Sequence, residues 1–158
     1  MKENLDLLVK LYAFEADGAL PAALERQGIA IRRALPAEMH IVCGWVEKAF
    51  GGHWASECAA AFSNHPATCF IAVQGGEVIG FACCEATAPD FFGPTGVAPQ
   101  ARGHAVGTAL LHAALAELKA RGYAYAIIGN AGPAEFYRKA CRAVPIPGSD
   151  PGFYKGML

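Results

Sequence analysis

The chain has 158 residues, the length of one ordinary domain, and 54% hydrophobic against 17% charged residues describes a compact core, not a disordered tail or a solvated coiled coil. Thirteen Lys and Arg lie scattered among fourteen acids for a net charge of −1, which argues against the basic stripe of a nucleic-acid binder. No apolar run reaches the roughly eighteen residues that cross a bilayer, and "MKENLDLLVKLYAF" carries acids where a secretory leader is basic, so no membrane partner and a cytoplasmic location are expected.

In chain order, "LLVKLYAF" has the character of a short strand, "PAALERQG" of a short helix opened by Pro21 and closed by Gly28, and "IAIRRAL" alternates as a strand does. "PAEMHIVCGWVEKAF" and "WASECAAAF" place apolar groups at helical spacing on either side of the turn-forming "GGH". "TCFIAVQ" and "EVIGFACCEAT" are strand-like runs joined by Gly75-Gly76, a hairpin signal because glycine adopts positive φ cheaply. "FFGPTGVAP" is a further strand in which Gly93, Pro94 and Gly96 predict a bulge.

From Ala105 to Arg121 a helix is expected to bury Val106, Leu110, Leu111, Leu115 and Leu118, with Gly122 ending it. "YAYAIIGN" returns as a strand, so strand, helix and strand form a parallel crossover; Pro133 opens the short helix "PAEFYRKAC", and "FYKGML" is a candidate final strand. The sum is one α/β (α+β) domain with a mixed central sheet and flanking helices, antiparallel in its front half and with a βαβ crossover behind. Residues 29–158 form the expected core, and 1–28 an N-terminal extension.

The six cysteines contain no CxxC pair, and Cys83 and Cys84 should point to opposite faces of a strand, which fits reduced thiols. His53, Cys58, His65 and Cys69 match no zinc spacing, and no metal site is expected from them.

"QARGHAVGTALL" joins a strand to a helix through small residues. Unpaired amides and the positive dipole end of a helix start make such a turn an anion cradle. It has neither the Gly-Lys-Ser/Thr of a P-loop nor GxGxxG spacing.

With its flanks, "GVAPQARGHAVGTALL" resembles the acetyl-coenzyme A signature of the GNAT (GCN5-related N-acetyltransferase) superfamily, Val-x-Pro, two residues, then Arg-x-x-Gly-x-Gly/Ala and a helix. Val97, Pro99, Arg102 and Gly107 fit it, and Ala105 stands where the first glycine is usual. Downstream, Asn130, Tyr137 and Lys139 match the family's Asn, six residues, Tyr-x-Lys, while Ala140-Cys141 replaces its usual Gly-Phe. The resemblance covers residues 91–142.

It implies a GNAT-like fold with splayed parallel strands and direct acetyl transfer from acetyl-CoA, as cosubstrate, to an amine. By carry-over, Val97 and Asn130 contact the pantetheine, and the amides of Arg102, Gly103, His104, Ala105, Val106, Gly107 and Thr108 hold the pyrophosphate. Tyr137 protonates the leaving thiolate. An alkylammonium needs a base before it attacks, and Glu85, ending "VIGFACCE", is the candidate. Trp54 and Glu57 fall in the region that shapes the family's acceptor pocket, and "SDPGFY" (149–154) is a turn that could flank it. A small-molecule or amino-acid amine is the expected acceptor, and a homodimer through a sheet edge is compatible with the pattern. A non-catalytic acyl-CoA sensor or assembly module is the alternative, since the cradle survives loss of acid and base. A nucleotide-binding protein of another kind would need a base-recognition site not found here.

Overall fold

The computed structural model describes residues 5–158. Seven strands form one sheet: β1 (Leu7–Lys10), β2 (Ile29–Arg33), β3 (Cys69–Gln74), β4 (Glu77–Cys84), β5 (Phe91–Val97), β6 (Tyr125–Ile128) and β7 (Val144–Pro145), in the spatial order β2-β3-β4-β5-β6-β1-β7. Five α-helices complete the fold: α1 (Leu20–Glu25), α2 (Met39–Phe50), α3 (Gly52–Phe62), α4 (Val106–Ala120) and α5 (Ala134–Cys141).

The front half is antiparallel, as its hydrophobic runs predict. Gly75 and Gly76 both hold positive φ in the turn that pairs Gln74 with Glu77. From Ile79 to Cys84, β4 is buried on both faces, which explains its unbroken apolar sequence. Between the pairs Ala82↔Thr95 and Cys84↔Phe92, Gly93 and Pro94 of β5 oppose the single residue Cys83, and this is the expected bulge.

Helix α4 lies on one face with Val106, Leu110, Leu111, Leu115 and Leu118 buried against β4 and β5. On the other face, α2 and α3 cover Ile71, Phe81 and Cys83. Cys84 belongs to the α4 face, so the adjacent cysteines do point apart. The strand β6 runs parallel to β5, completing the crossover.

Two expectations are corrected at the ends of the chain. Residues 5–28 are no appendage to the core: β1 pairs antiparallel with β6 from Leu7↔Ile128 to Lys10↔Tyr125, carries β7 on its other edge, and buries Leu7 and Val9. The tail "FYKGML" forms turns, with Gly152 and Gly156 at positive φ, not a strand. Among the described residues no helix is long and apolar enough to cross a membrane.

Candidate active site

Strands β5 and β6 pair only through Phe91↔Ile127 and Phe92↔Ile128. Beyond that point β5 follows β4 to Val97 while β6 ends, so the sheet opens. The cleft that results has a volume of about 1140 Å³ and reaches from the start of α4 to α3 and the C-terminal turns.

One end of the cleft is the turn between β5 and α4. Gly103 sits at φ +83° and Ala105 at +64°, and α4 begins at the next residue. The turn therefore needs a left-handed backbone where the family's glycine is usual, and alanine holds it at a cost of roughly 1 kcal/mol. Among the described residues no backbone carbonyl accepts from the N–H groups of Gly103 to Thr108, and the bonding of α4 opens with Ala109, which donates to Ala105 O at 3.0 Å. These amides are open to an anion. The Arg102 side chain turns back, its Nε donating to Val97 O at 3.1 Å, and ties the turn to the end of β5. Arg102, Gly103, Ala105, Val106, Gly107, Thr108 and Val97 all border the cleft; the exposed His104 side chain does not.

Helix α5 places Tyr137 in the middle of the cleft. Its ring is 5% exposed and meets Phe92 and Phe136 edge to face, with centroids 6.1 and 5.1 Å away. The phenolic O–H has no partner within the described residues, yet no buried side-chain polar atom is left unsatisfied, so this hydroxyl opens onto the cleft. Burial pushes its pKa well above the ordinary phenol value, which keeps it protonated. Asn130 borders the same space at φ +49°. Its backbone N–H donates to Asp6 Oδ1 at 2.7 Å, and the N–H of Phe153 reaches the same oxygen at 3.2 Å.

At the far end, α3 presents Trp54 and Glu57. The hydroxyls of Thr87 and Tyr154 both donate to Glu57 Oε1, at 2.7 and 2.8 Å, and lie 2.9 Å from each other. Burial pushes the Tyr154 phenol up to about 12, so it stays a donor. With both donors on Oε1, Oε2 is the oxygen left for a ligand. Trp54 leans on Phe50 and Phe81, with ring centroids 5.1 and 6.2 Å away, and forms an aromatic wall beside the carboxylate.

Glu85 lies outside the cleft. Because β4 and β5 are antiparallel, the end of β4 meets the start of β5, whereas the sheet opens at the end of β5. The Glu85 carboxylate instead accepts the Asp90 N–H at 2.9 Å and closes the β4–β5 connection. Tyr154, the last residue of the "SDPGFY" turn, does border the cleft, whereas Asp6 escaped the sequence reading, since nothing local marks it as part of a site. His53 and His65 also stay apart from the cysteines: His53 Nε2 is 2.9 Å from Leu158 O. Cys58 and Cys69 do meet, with Cys83.

A sequence model of the acetyltransferase (GNAT) family matches residues 39–141, well over half of the chain. The chain belongs to this family. Among solved structures, it resembles the GCN5-related glucosamine N-acetyltransferase region of a fungal multi-domain GH3 beta-N-acetylglucosaminidase (TM-score 0.73, 19% identity, covering 90% of this chain and 19% of that one). A GCN5-related N-acetyltransferase from Sphaerobacter thermophilus is also similar (TM-score 0.68, 21% identity, 92% of this chain and 50% of that one). A third is a GNAT family acetyltransferase from Brucella melitensis in complex with acetyl-CoA (TM-score 0.53, 18% identity, 70% and 80%). At these identities the likeness is one of fold, and the chain spans half or less of the length of the first two. No curated protein sequence matches the chain.

Proposed function

We propose that this GNAT domain transfers an acetyl group from acetyl-CoA to the amine of a small molecule or an amino acid. The observation that carries the reading is the single cleft in which unpaired amides, a protonated phenol and a carboxylate follow one another along the gap between β5 and β6. The amides from Gly103 to Thr108 fit a pyrophosphate, since each offers an N–H without a backbone acceptor beyond its helix. Asn130 and the end of β5 at Val97 flank the path of the pantetheine arm.

The thioester supplies an activated acetyl carbon and a thiol of moderate basicity as leaving group. Tyr137 is the proton donor to that sulfur, its phenol held protonated by burial. Glu57 replaces Glu85 as the carboxylate at the acceptor end. Oε2 binds the acceptor ammonium and takes its proton, directly or through one water, while Thr87 and Tyr154 hold the carboxylate in orientation through Oε1. Trp54 packs against the organic part of the acceptor. The aromatic wall beside one carboxylate favours a small primary amine with an apolar body.

The test is calorimetric titration with acetyl-CoA, followed by a screen of amines and amino acids that reads release of the CoA thiol. Micromolar binding and amine-dependent release support the reading. Binding without release for any amine would leave the acyl-CoA sensor in its place, and absence of binding would remove both.

A further inference from the structure

On the face of the sheet covered by α2 and α3, three elements bring sulfur to one point. Cys58 of α3, Cys69 of β3 and Cys83 of β4 are all 0% exposed, and their Sγ atoms lie within 4.8 Å of one another. The Cys58 and Cys69 sulfurs are 3.9 Å apart. Cys69 and Cys83 are direct cross-strand partners, so the sheet itself fixes two of the three. Cys43 of α2, half-buried, lies near the Cys58 thiol, so a fourth sulfur from a fourth element adjoins the group. Nothing in the acetyl-transfer cleft uses these residues.

We infer that Cys58, Cys69 and Cys83 form a closed site for a thiophilic divalent cation of the zinc class, with Cys43 in the fourth position. Zinc–sulfur bonds of about 2.3 Å in a tetrahedron place sulfurs roughly 3.8 Å apart. The Cys58–Cys69 pair already has that spacing. The other two separations among Cys58, Cys69 and Cys83 are no more than 4.8 Å and close by at most about 1 Å through side-chain rotation, and Cys43 turns in from beside Cys58. On binding, three thiol protons leave to solvent and three sulfur–metal bonds form, so the cation and three thiolates carry one net negative charge. Cys43 gives up its thiol proton to solvent likewise and completes the coordination as a fourth thiolate, which takes the net charge to −2.

A disulfide is the competing use of such a cluster, and burial speaks against it. An oxidant needs an exposed thiolate, and none of the three is exposed. A metal reaches the same place as the chain folds around it, as structural zinc does elsewhere. Its effect would be mechanical. Cys58 follows Glu57 on α3, so the ion would pin to the sheet the helix turn that carries the cleft carboxylate.

The full chain, reduced and freed of metal, should be titrated with Co²⁺ while recording absorbance, then with Zn²⁺ in competition. The expected result is one equivalent of cobalt, a sulfur-to-cobalt charge-transfer band with tetrahedral visible bands, and full displacement by zinc. Cys83→Ser and Cys58→Ser should lose the bands, whereas Cys84→Ala, on the opposite face, should keep them. A wild-type protein without the charge-transfer band overturns the inference however the variants fold. So does a band of unchanged intensity in folded Cys83→Ser.

Discussion

The Asp6 carboxylate receives the Asn130 amide at 2.7 Å, so a residue ahead of the first strand holds the turn at the mouth of the cleft. The same oxygen takes the Phe153 amide at 3.2 Å, and the Asp6 N–H donates to Ser149 Oγ at 2.9 Å. One side chain therefore fastens the start of the chain, the end of β6 and the C-terminal turns. Asp6→Ala leaves two donors without their acceptor and should lower stability by about 2–3 kcal/mol in urea unfolding. Asp6→Asn keeps an acceptor oxygen and should recover part of that loss. Affinity for acetyl-CoA should fall with Asp6→Ala in calorimetry, because Asn130 loses its support.

Ala105 and Gly107 separate backbone demand from ligand demand. Ala105→Gly relieves a left-handed alanine and should raise stability by roughly 0.5–1 kcal/mol. At Gly107 a Cβ would meet Val97 Cγ2 at 3.6 Å and Phe136 Cζ at 3.8 Å, ordinary contacts, so Gly107→Ala should fold normally. Gly107→Glu puts a carboxylate beside the open amides and should weaken acetyl-CoA binding by about 100-fold or more while the melting curve stays close to wild type.

Tyr137→Phe removes only a hydroxyl without a partner among the described residues. Its stability should be unchanged, and kcat should drop ~10²-fold, the lower end of general-acid effects because a thiolate is already a fair leaving group. Saturation with acetyl-CoA should be nearly unaffected.

Substitution separates the two glutamates. Glu57→Gln should remove most of the rate, since the neutral amide cannot take a proton. Tyr154→Phe should retain activity with a higher KM for the amine, as Oε1 loses one of its two donors. Glu85→Gln should leave the profile as it is, its partner being the Asp90 amide at the far end of β5. A profile altered by Glu85→Gln and not by Glu57→Gln would reverse the assignment.

Glu117 on α4 supplies a pH-dependent part of the stability. The hydrogen bond from Arg33 at 2.8 Å holds its carboxyl below the ordinary value, with Arg121 assisting. A lowered folded-state value means that the contribution is complete above about pH 4.3 and vanishes as pH falls through the folded value. Glu117→Gln should therefore cost ~0.5–1 kcal/mol at pH 7, a modest figure because Arg33 is partly solvated. The difference from wild type should shrink steadily as pH falls into the acid range, as followed by thermal unfolding.

What could be read from the sequence was local. Gly75-Gly76 specifies its own turn, the apolar spacing from Val106 to Leu118 specifies its own buried face, and the cradle is one continuous segment. Tyr137 and Asn130 became legible through their spacing in a family pattern. Glu85 misled because a strand end does not say at which end of the neighbouring strand the sheet will open; that depends on the pairing of β5 with β6. The knot at Asp6 and the contact of Glu57 with Thr87 and Tyr154 join segments far apart in sequence, and no periodicity announces them. The cysteines gather for the same reason, since Cys83 joins Cys58 and Cys69 only once β4 lies beside β3.

The place of β1 in the sheet has a consequence during synthesis. Val9 pairs with Ala126, and Leu7 pairs also with Pro145, so the strand made first finds its neighbours last. On a ribosome adding roughly 5–20 residues per second, Leu7 and Val9 wait several seconds or more with their apolar faces uncovered. A chaperone that holds the nascent β1 segment should therefore raise the folded yield more than one that acts once β7 has been made.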